Sequence, residues 1–436
     1  MWSKNVTVTN GELHISGISA RTIAHDFGTP VFVLDKEDFV DRARSFKTAL
    51  QQNFGQSAGE VYYASKAFTC TEVARWIRDL DLGIDVATGG ELAVALAGGI
   101  KPEKIQVHGN NKSQAEIDRA VSVGVGSIVI DSIQEIDRVS RAAAQHGRTQ
   151  PVFVRVTPGV EAHTHESIAT AHEDVKFGLS IASGAAWQAL VHVSKDPNLT
   201  LLGIHAHIGS QIFGTESFRL SAQRLIALLA RYRDEYKTEL AELDLGGGYG
   251  IAYLPSEPYL RASDVLPALK SAVEDFCAHH SLSMPRISIE PGRAIVGPAM
   301  FTLYEVGTTK DVTLEDGSIR RYISIDGGMS DNIRPALYGA EYFALLANRT
   351  SQAAPTSSRI VGKHCESGDI LIRSIDLPGD IQPGDLIAMP ATGAYGYSMA
   401  SNYNKVPRPP VIAIEGGSAR VIVRRETEGD LLALDI

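Results

Sequence analysis

The sequence contains few cysteines, no long apolar run and no long run of one charge. The three cysteines, Cys70, Cys277 and Cys365, are too few for a disulfide framework, and no CxxC pair indicates a zinc site. No stretch approaches the ~20 apolar residues that a membrane-spanning helix needs. The N-terminal residues MWSKNVTVTNGELHIS also lack the apolar core of a secretory signal. We therefore expect a cytoplasmic protein.

The charge balance argues against two classes of partner. Lysine and arginine number 41 against 51 aspartates and glutamates, a net charge of −10 with no long run of one sign. Nucleic acids and anionic membranes require a basic face, which this balance does not supply. The length of 436 residues exceeds one ordinary domain. We therefore expect a globular protein with more than one structural unit and a small-molecule partner.

Eight short apolar runs follow one another in the first two thirds of the chain, each giving way to a polar residue or glycine. Helical segments such as AEIDRAVSVG separate them. This alternation predicts a (β/α)8 barrel, whose active site lies at the C-terminal ends of the strands. The residues that follow or end the eight runs are Lys66, Asp85, His108, Asp131, Arg155, His207, Gly246 and Glu290.

Strand-like segments flank this region on both sides. VTVTNGELHI predicts a hairpin around Asn10-Gly11, TPVFVLD predicts a strand, and a long helix is expected from Lys36. After about residue 300, strand-like segments alternate with Gly and Pro, and the terminal LLALDI also predicts a strand. We expect a flexible loop over residues 352–358. The sequence therefore predicts an α/β fold in which the barrel is joined to a C-terminal antiparallel β-sandwich or β-barrel domain.

Lys66 and Glu290 are the most informative strand ends. A lysine at the end of a buried strand must pair or react to lower its charge cost, and a Schiff base with an aldehyde cofactor meets that demand. A lysine that reaches solvent is the alternative, and Lys66 alone would favour it. Glu290 can keep a pyridine nitrogen protonated, which makes the ring an electron sink, or it can form an ordinary ion pair at the rim.

The ends of strands seven and eight together predict a phosphate site. Gly246-Gly247-Gly248 ends one strand and Glu290-Pro291-Gly292-Arg293 ends the next. Barrels commonly bind phosphate here, where glycine lets backbone N–H groups approach the oxygens. The run does not match GxGxxG in either register, so it does not predict dinucleotide binding. Turning the chain is the alternative role, for one glycine more readily than for all three.

Two further strand ends carry candidates for contacting a cofactor. His207 in HAHIGS can stack on a cofactor ring, or it can be a hydrogen-bonded core histidine. Ser210 lies close enough in sequence to donate to a phosphate. Asp85 can orient the lysine or the cofactor, or it can cap the next helix.

The C-terminal part adds a second cluster. Cys365 and Glu366 in HCESGD place a thiol beside a carboxylate, and a thiol of pKa about 8.5 is protonated near neutrality and can donate a proton. Burial as a small hydrophobe is the usual role of cysteine, and we assign it to Cys70 and Cys277. Tyr395 in TGAYGY can bind a phosphate.

Two other groups in the sequence were weighed as ligands. Arg334 and Tyr338 in DNIRPALYGA offer a cation and a phenol, although surface decoration is the alternative. His163 and His165 have ligand-like spacing but no third candidate ligand, so no metal site is predicted.

Ten motifs in order resemble the alanine-racemase-type pyridoxal-phosphate decarboxylases, and most closely the branch that acts on diaminopimelate. The resemblance covers essentially the whole chain and implies a barrel over 36–300 that binds pyridoxal 5'-phosphate. It also implies a β domain in which 1–35 pack with 301–436, and a head-to-tail homodimer with shared active sites. The motifs are YYASKAF, IDVATGGEL, HGNNK, KFGL, HIGSQI, DLGGGYGI, EPGR, DNIRPALYGA, CESGD and TGAYGYSMASNYN.

The resemblance also implies a role for each candidate residue. Lys66 carries the Schiff base, Glu290 contacts the pyridine nitrogen, His207 stacks on the ring and Cys365 donates the catalytic proton. The cofactor-binding positions are Lys66, Asp85, His207, Ser210, Gly247, Gly248, Glu290, Pro291, Gly292, Arg293 and Tyr395. The substrate-binding positions are Arg293, Arg334, Tyr338, Glu366 and Tyr395.

The substrate expected from this resemblance carries an amino acid group at each end. Glu366 suits the remote ammonium, and Arg334 with Arg293 suits the remote carboxylate. We therefore expect decarboxylation of meso-2,6-diaminopimelate to L-lysine and CO2, the last step of lysine biosynthesis.

Three alternatives are weaker. Another basic amino acid, such as ornithine or arginine, would place a like charge against Arg334. In the alanine racemases an arginine stands where Glu290 stands here, which disfavours a racemase. A cofactor-free regulatory relative is disfavoured because Lys66, Glu290 and Cys365 are all present.

Overall fold

The computed structural model describes residues 1–160 and 176–436, which pack as two compact units. The barrel unit comprises Arg42–Gly250 and Tyr259–Gly292. The β unit comprises Met1–Asp41, Ile251–Pro258 and Arg293–Ile436. No helix in the described part of the chain is long and apolar enough to cross a membrane.

The chain begins in the β unit with a small antiparallel sheet. Its strands are β1 (Val6–Thr9), β2 (Glu12–Ile15) and β3 (Ile18–Ser19), and the first two form the predicted hairpin around Asn10. Helix α1 (Ala20–Phe27) ends at Gly28, which has a φ of 68°. This backbone conformation favours glycine, because glycine has no side chain. Strand β4 (Val31–Asp35) and helix α2 (Lys36–Phe54) follow and lead to the barrel.

Eight parallel strands close into a barrel, as the eight apolar runs predict. Each strand pairs with the next, and the last pairs with the first. Runs such as SIVI are buried along their whole length because helices cover the outside of a parallel sheet. The strands are β5 (Ala58–Ala64), β6 (Gly83–Val86), β7 (Ile105–Val107), β8 (Ser127–Ile130), β9 (Gln150–Thr157), β11 (Leu199–His205), β12 (Glu242–Asp244) and β13 (Arg286–Ile289); a short β10 (Leu179–Ser180) extends β9.

Helices connect most of these strands. The intervening helices are α3 (Thr71–Asp79), α4 (Gly89–Ala97), α5 (Gln114–Val123), α6 (Ile133–Gln145), α7 (Ala185–Lys195), α8 (Glu216–Tyr236) and α9 (Ala262–His279). Helix α5 shows why a helix begins where it does. Ser113 accepts from the backbone N–H of Glu116, and the Glu116 side chain accepts from that of Ser113. The predicted fold class, a (β/α)8 barrel with a β domain, is confirmed.

The rest of the β unit is organised around one long strand. Strand β14 (Met300–Thr313) pairs with β4 and β19 through its first half and with β15 through its second. The sheet is mixed rather than purely antiparallel, because β15 runs parallel to β17 and β4 runs parallel to β20. The elements after the barrel are α10 (Arg293–Ala299), β14, β15 (Ile319–Ile325), α11 (Arg334–Tyr338), β16 (Leu345–Leu346), β17 (Pro355–Val361), β18 (Ile370–Pro378), β19 (Leu386–Met389), β20 (Val411–Glu415), β21 (Ser418–Val423) and α12 (Glu428–Leu432).

Two local predictions were wrong. The loop expected over residues 352–358 ends at Pro355, where β17 begins, because this segment pairs with β18. LLALDI does not form a strand; its first residues end helix α12. A capping box between Thr427 and Asp430 starts this helix and outweighs the apolar run that follows.

Candidate active site

Glu290 lies at the end of β13 among two buried imidazoles. Its Oε1 is 2.9 Å from His108 Nε2, and its Oε2 is 3.3 Å from His205 Nε2. Burial raises the pKa of Glu290, but the two imidazoles outweigh burial and lower the pKa well below its usual range. Oε1 also lies 3.2 Å from His205 Nε2. Glu290 is therefore a buried, ionised carboxylate held by two imidazoles.

The other titratable groups of the barrel mouth differ in charge from Glu290. Burial, and then the nearby negative charge of Glu290, raises the pKa of Asp85 well above its usual range. Burial lowers the pKa of His108 to about 4. At neutral pH Glu290 is thus ionised and His108 is a neutral imidazole, while burial disfavours the charged form of Asp85.

Arg155, within β9, is the cation of this group. Its Nη1 lies 3.6 Å from Asp131 Oδ2, and its guanidinium lies 4.6 Å from the centre of the Phe177 ring. Asp131 also accepts the backbone N–H of Gly178 at 2.8 Å. The KFGL motif therefore helps to hold the cation at the strand end.

His207 is held by the glycine run after β12. The backbone N–H of Gly247 donates to His207 Nδ1 at 3.1 Å, which places the proton of a neutral ring on Nε2. Burial, followed by the charges of Lys66 and Arg155, lowers the pKa of His207 well below its usual range. A neutral, oriented imidazole of this kind suits ring stacking.

All three glycines of the run are required by close packing. A Cβ on Gly246, Gly247 or Gly248 would lie 2.5, 2.2 or 2.4 Å from a backbone oxygen, respectively. Gly246 and Gly248 also have φ of 67° and 104°, a region that favours glycine. This packing accounts for glycine at all three positions, and phosphate binding by the run stays a prediction.

The turn after β13 is packed against the end of β5. The backbone oxygen of Pro291 accepts from Ala64 N–H at 3.3 Å, and a Cβ on Gly292 would lie 2.7 Å from that of Ala64.

Lys66 follows the end of β5, and its side chain is exposed. The burial on which the sequence argument for Lys66 rested is thus not found. Ser210 lies half-buried on the loop after β11.

The β unit contains a second cluster, built from arginines and tyrosines. Arg334, at the start of α11, is only 6% exposed and donates through Nη1 to the Tyr342 hydroxyl. Arg293 donates to the Tyr253 hydroxyl and lies 4.7 Å from the centre of the Tyr395 ring. We call these five residues the arginine–tyrosine cluster. Tyr338, half-buried at the end of α11, is not part of it.

Arg334 has no carboxylate partner among the described residues. Its guanidinium lies 4.6 Å from the centre of the Tyr253 ring and 5.5 Å from that of Tyr342, so aromatic faces take the place of an acid. A buried guanidinium without a counter-charge is costly unless an anion completes the site. The cluster is therefore a candidate site for a carboxylate.

Cys365 and Glu366 lie on an exposed turn of the β unit. The backbone N–H of Cys365 donates to Asn404 Oδ1 at 3.1 Å, and the buried ring of His364 contacts Ser330 Oγ at 2.8 Å. Glu366 accepts from Gly368 N–H and the Ser367 hydroxyl, both within its own turn. The thiol and this carboxylate are thus presented to solvent on a firmly anchored turn.

The structure also bears on the question of metals. His163 and His165 lie outside the described residues. Within the described residues, His108, His205 and Glu290 have potential ligand atoms within 4.8 Å of one another. The absence of a metal site remains a prediction.

Sequence reasoning missed several of these neighbours. His108 was identified only as a strand end, and His205 was not singled out. His205 could have been found, because alternate residues share one face of a strand and it precedes His207 by two. Tyr253 and Tyr342 carry no such signal, since only the folded chain brings them to the arginines.

Comparison with known proteins identifies the family. Residues 36–297 match the model described as "Pyridoxal-dependent decarboxylase, pyridoxal binding domain". The chain is 51% identical to diaminopimelate decarboxylase of Mycobacterium tuberculosis, covering 100% of this chain and 98% of the relative. It is 44% identical to that of Bacillus subtilis, covering 98% and 96%.

Solved structures agree with this assignment. The crystal structure of diaminopimelate decarboxylase from M. jannaschii in co-complex with L-lysine superposes with a TM-score of 0.91 at 30% identity, covering 100% of this chain and 99% of that one. The chain therefore belongs to the diaminopimelate decarboxylase family of pyridoxal-dependent enzymes.

Proposed function

We propose that this chain decarboxylates meso-2,6-diaminopimelate to L-lysine and CO2 with pyridoxal phosphate bound at the mouth of its barrel. The observation that carries the substrate assignment is Arg334, a buried guanidinium without a carboxylate partner among the described residues. Family membership supports the reaction class, and the co-complex of the M. jannaschii relative with L-lysine supports the product.

The residues of the barrel mouth fit pyridoxal phosphate. When bound, this cofactor supplies an electron sink for the pair of electrons that CO2 leaves behind. Lys66 would hold the cofactor covalently through its amine, and Glu290 would accept from the pyridine N–H. His207 would stack on the ring. Asp85, whose pKa is raised by burial, would serve as a hydrogen-bonding group beside Lys66.

The phosphate group suits the loops after strands seven and eight. The backbone N–H of Gly248 would approach the oxygens where no side chain fits, and Gly247, whose N–H donates to His207, would leave room for them. We assign the remaining contacts to Ser210, Tyr395 and the turn of Pro291, Gly292 and Arg293.

The remote end of the substrate suits the second cluster. Arg334 and Arg293 bind its carboxylate as fork-shaped donors, and Tyr338 and Tyr395 complete the pocket. Glu366 binds its ammonium. Ornithine or lysine in the substrate orientation lacks that carboxylate and leaves Arg334 uncompensated.

Cys365 returns a proton to the α-carbon after CO2 departs. A thiol is protonated near neutrality and can act as a general acid. We assign this thiol and Glu366 to the site of a partner chain in a head-to-tail homodimer. Their exposure on the anchored turn is consistent with that arrangement.

The test is product analysis with a panel of diamino acids. The purified protein, loaded with pyridoxal phosphate, should release CO2 and L-lysine from meso-2,6-diaminopimelate and little from ornithine, lysine or arginine. Lys66→Ala should lose both the visible absorbance of the bound cofactor and nearly all turnover. Faster release of CO2 from ornithine than from diaminopimelate would refute the substrate assignment.

A further inference from the structure

Tyr253 and Tyr342 contact Arg293 and Arg334, the two arginines that the proposed function assigns to the remote carboxylate. Both tyrosines are buried in the β unit, and their rings meet edge to face with centroids 5.2 Å apart at 80°. The hydroxyl of Tyr342 accepts from Arg334, and the hydroxyl of Tyr253 accepts from Arg293. The aromatic pair therefore contacts both guanidinium groups.

Tyr253 contacts both arginines. Its hydroxyl accepts from Arg293, while its face lies 4.6 Å from the guanidinium carbon of Arg334. Two like charges held in one buried cluster repel each other. Phenol oxygens and aromatic faces stabilise both cations without neutralising either.

The loop that carries Tyr253 is fixed by a different acid. The carboxylate of Glu257 accepts from the backbone N–H of Tyr253 at 2.6 Å and from that of Leu254 at 3.0 Å. This carboxylate folds the loop rather than pairing with an arginine of the cluster. Burial lowers the pKa of Arg334, but the phenols of Tyr342 and Tyr253 outweigh burial and raise it, so the group keeps its charge.

An acid in place of either phenol would hold an arginine equally well but would compete with a carboxylate ligand. A phenol holds the guanidinium in place and leaves its charge for the ligand. We propose that Tyr253 and Tyr342 are positioning residues for remote-carboxylate recognition: they orient Arg293 and Arg334, and they leave the charge of Arg334 available to the ligand. This inference rests on the proposed function, since it requires that these arginines bind the substrate's remote carboxylate.

Binding of two diamines separates this role from a general structural one. L-lysine, as product, retains the carboxylate of the end that is not decarboxylated, whereas cadaverine has the same chain and no carboxylate. Inhibition constants of both should be measured for the pyridoxal-phosphate-loaded Tyr342→Phe and Tyr253→Phe variants. We expect each variant to bind L-lysine roughly tenfold more weakly, because a hydrogen bond to a charged group is lost, and to bind cadaverine as the unaltered protein does.

The matched control is Tyr322→Phe. Its hydroxyl accepts from Arg359 at 3.3 Å, and that guanidinium lies 5.5 Å from its ring centre, so it repeats the contact outside the cluster. This variant should leave both inhibition constants unchanged, and the cofactor absorbance and Tm of every variant verify folding. Unchanged L-lysine binding in both cluster variants, or an equal loss of L-lysine and cadaverine binding, would overturn the inference.

A parallel Arg334→Ala variant distinguishes failure of the positioning role of the tyrosines from failure of the proposed function. If Arg334→Ala weakens L-lysine binding while the two tyrosine variants do not, only the positioning role is wrong. If Arg334→Ala also binds L-lysine normally, the carboxylate assignment itself fails, and the positioning role fails with it.

Discussion

The role proposed for Glu290 depends on the charge of its carboxylate. Two buried imidazoles keep its pKa low, so the carboxylate is ionised in an apolar setting where a cationic N–H is its natural partner. Asp85, with its raised pKa, cannot replace it. In the proposed function, a carboxylate at this position is therefore needed for the ring to withdraw electrons strongly, and not for the cofactor to bind.

Replacing Glu290 with glutamine tests that role. Glu290→Gln should retain the cofactor, because the phosphate contacts lie on other loops, while turnover falls roughly a hundredfold, as for loss of one electrostatic contact. Cofactor absorbance gives occupancy, and CO2 release gives rate. Glu60→Gln on β5 is the control: it removes the ion pair with Lys104 and keeps an amide oxygen that can accept from Gly83 N–H. Unchanged turnover in Glu290→Gln would separate this residue from the ring nitrogen.

The arginine of α11 permits a second test on one residue. Arg334→Ala should lower kcat/KM for diaminopimelate far more than that for lysine as a poor substrate, because only diaminopimelate presents a remote carboxylate when its reacting end is at the cofactor. Losing a charge-assisted pair in a desolvated pocket costs about 2–5 kcal/mol. Because remote binding energy also positions the reacting carbon, kcat should fall too. Equal changes for both substrates would contradict the assignment.

Residue identities at strand ends were predictable, but their contacts were not. The barrel rule named Asp85, His108 and Glu290 because polar residues that end buried strands must meet at one face. It did not show that His108 contacts Glu290, since the two come from β7 and β13. For Lys66 the physical argument assumed burial, and the structure shows an exposed side chain, so its assignment depends on the family.

At the scale of elements, the glycine run after β12 brings backbone close to backbone where three loops meet. Gly247→Ala would place a methyl group 2.2 Å from the oxygen of Glu290. Because backbone cannot yield as a flexible side chain does, the loop should shift and weaken pyridoxal phosphate binding by roughly tenfold or more. Cofactor titration followed by absorbance measures this loss.

Gly214 provides the matched control for that prediction. It lies on the loop after β11 in the barrel unit, and a Cβ there would meet nothing within 4 Å. Gly214→Ala should bind the cofactor normally. Equal cofactor affinity in the Gly247→Ala and Gly214→Ala variants would rule out a phosphate cradle at this loop.

Elements with a strong period were predicted well, and those set by local capping or distant pairing were not. All eight barrel runs form strands, because burial on both faces gives continuous apolar stretches. LLALDI looked equally apolar, yet the capping of Thr427 by Asp430 made its first residues helical. Strand β17 begins at Pro355 inside a polar segment whose pairing with β18 no local pattern records.

At the scale of the whole molecule, the residues assigned to the proposed reaction come from two compact units. Lys66, His207 and Glu290 belong to the barrel unit, whereas Arg334 and Cys365 belong to the β unit. The short segment Ile251–Pro258 carries Tyr253 into the β unit although barrel sequence flanks it on both sides. Sequence periodicity could not reveal this, because the segment contains no helix or strand of its own.

The proposed head-to-tail dimer makes a prediction about mixtures of inactive variants. Lys66→Ala and Cys365→Ala homodimers should each be nearly inactive, since every shared site lacks one of the two groups. In a mixed dimer, one site carries both lesions and the other carries neither. Random exchange makes half of the dimers mixed, and half of their sites intact, so activity should recover to roughly a quarter of the unaltered enzyme.

The control for this experiment pairs two lesions of the same unit. Lys66→Ala mixed with Glu290→Ala places one lesion in each site of a mixed dimer, because both residues belong to the barrel unit, and activity should not recover. Subunit exchange is verified with differently tagged chains, and CO2 release is measured before and after mixing. Recovery in the first pair but not in the second requires that Cys365 serve the site of the partner chain. Failure of the first pair to recover, with exchange demonstrated, would place Lys66 and Cys365 in the site of one chain and refute the shared-site dimer.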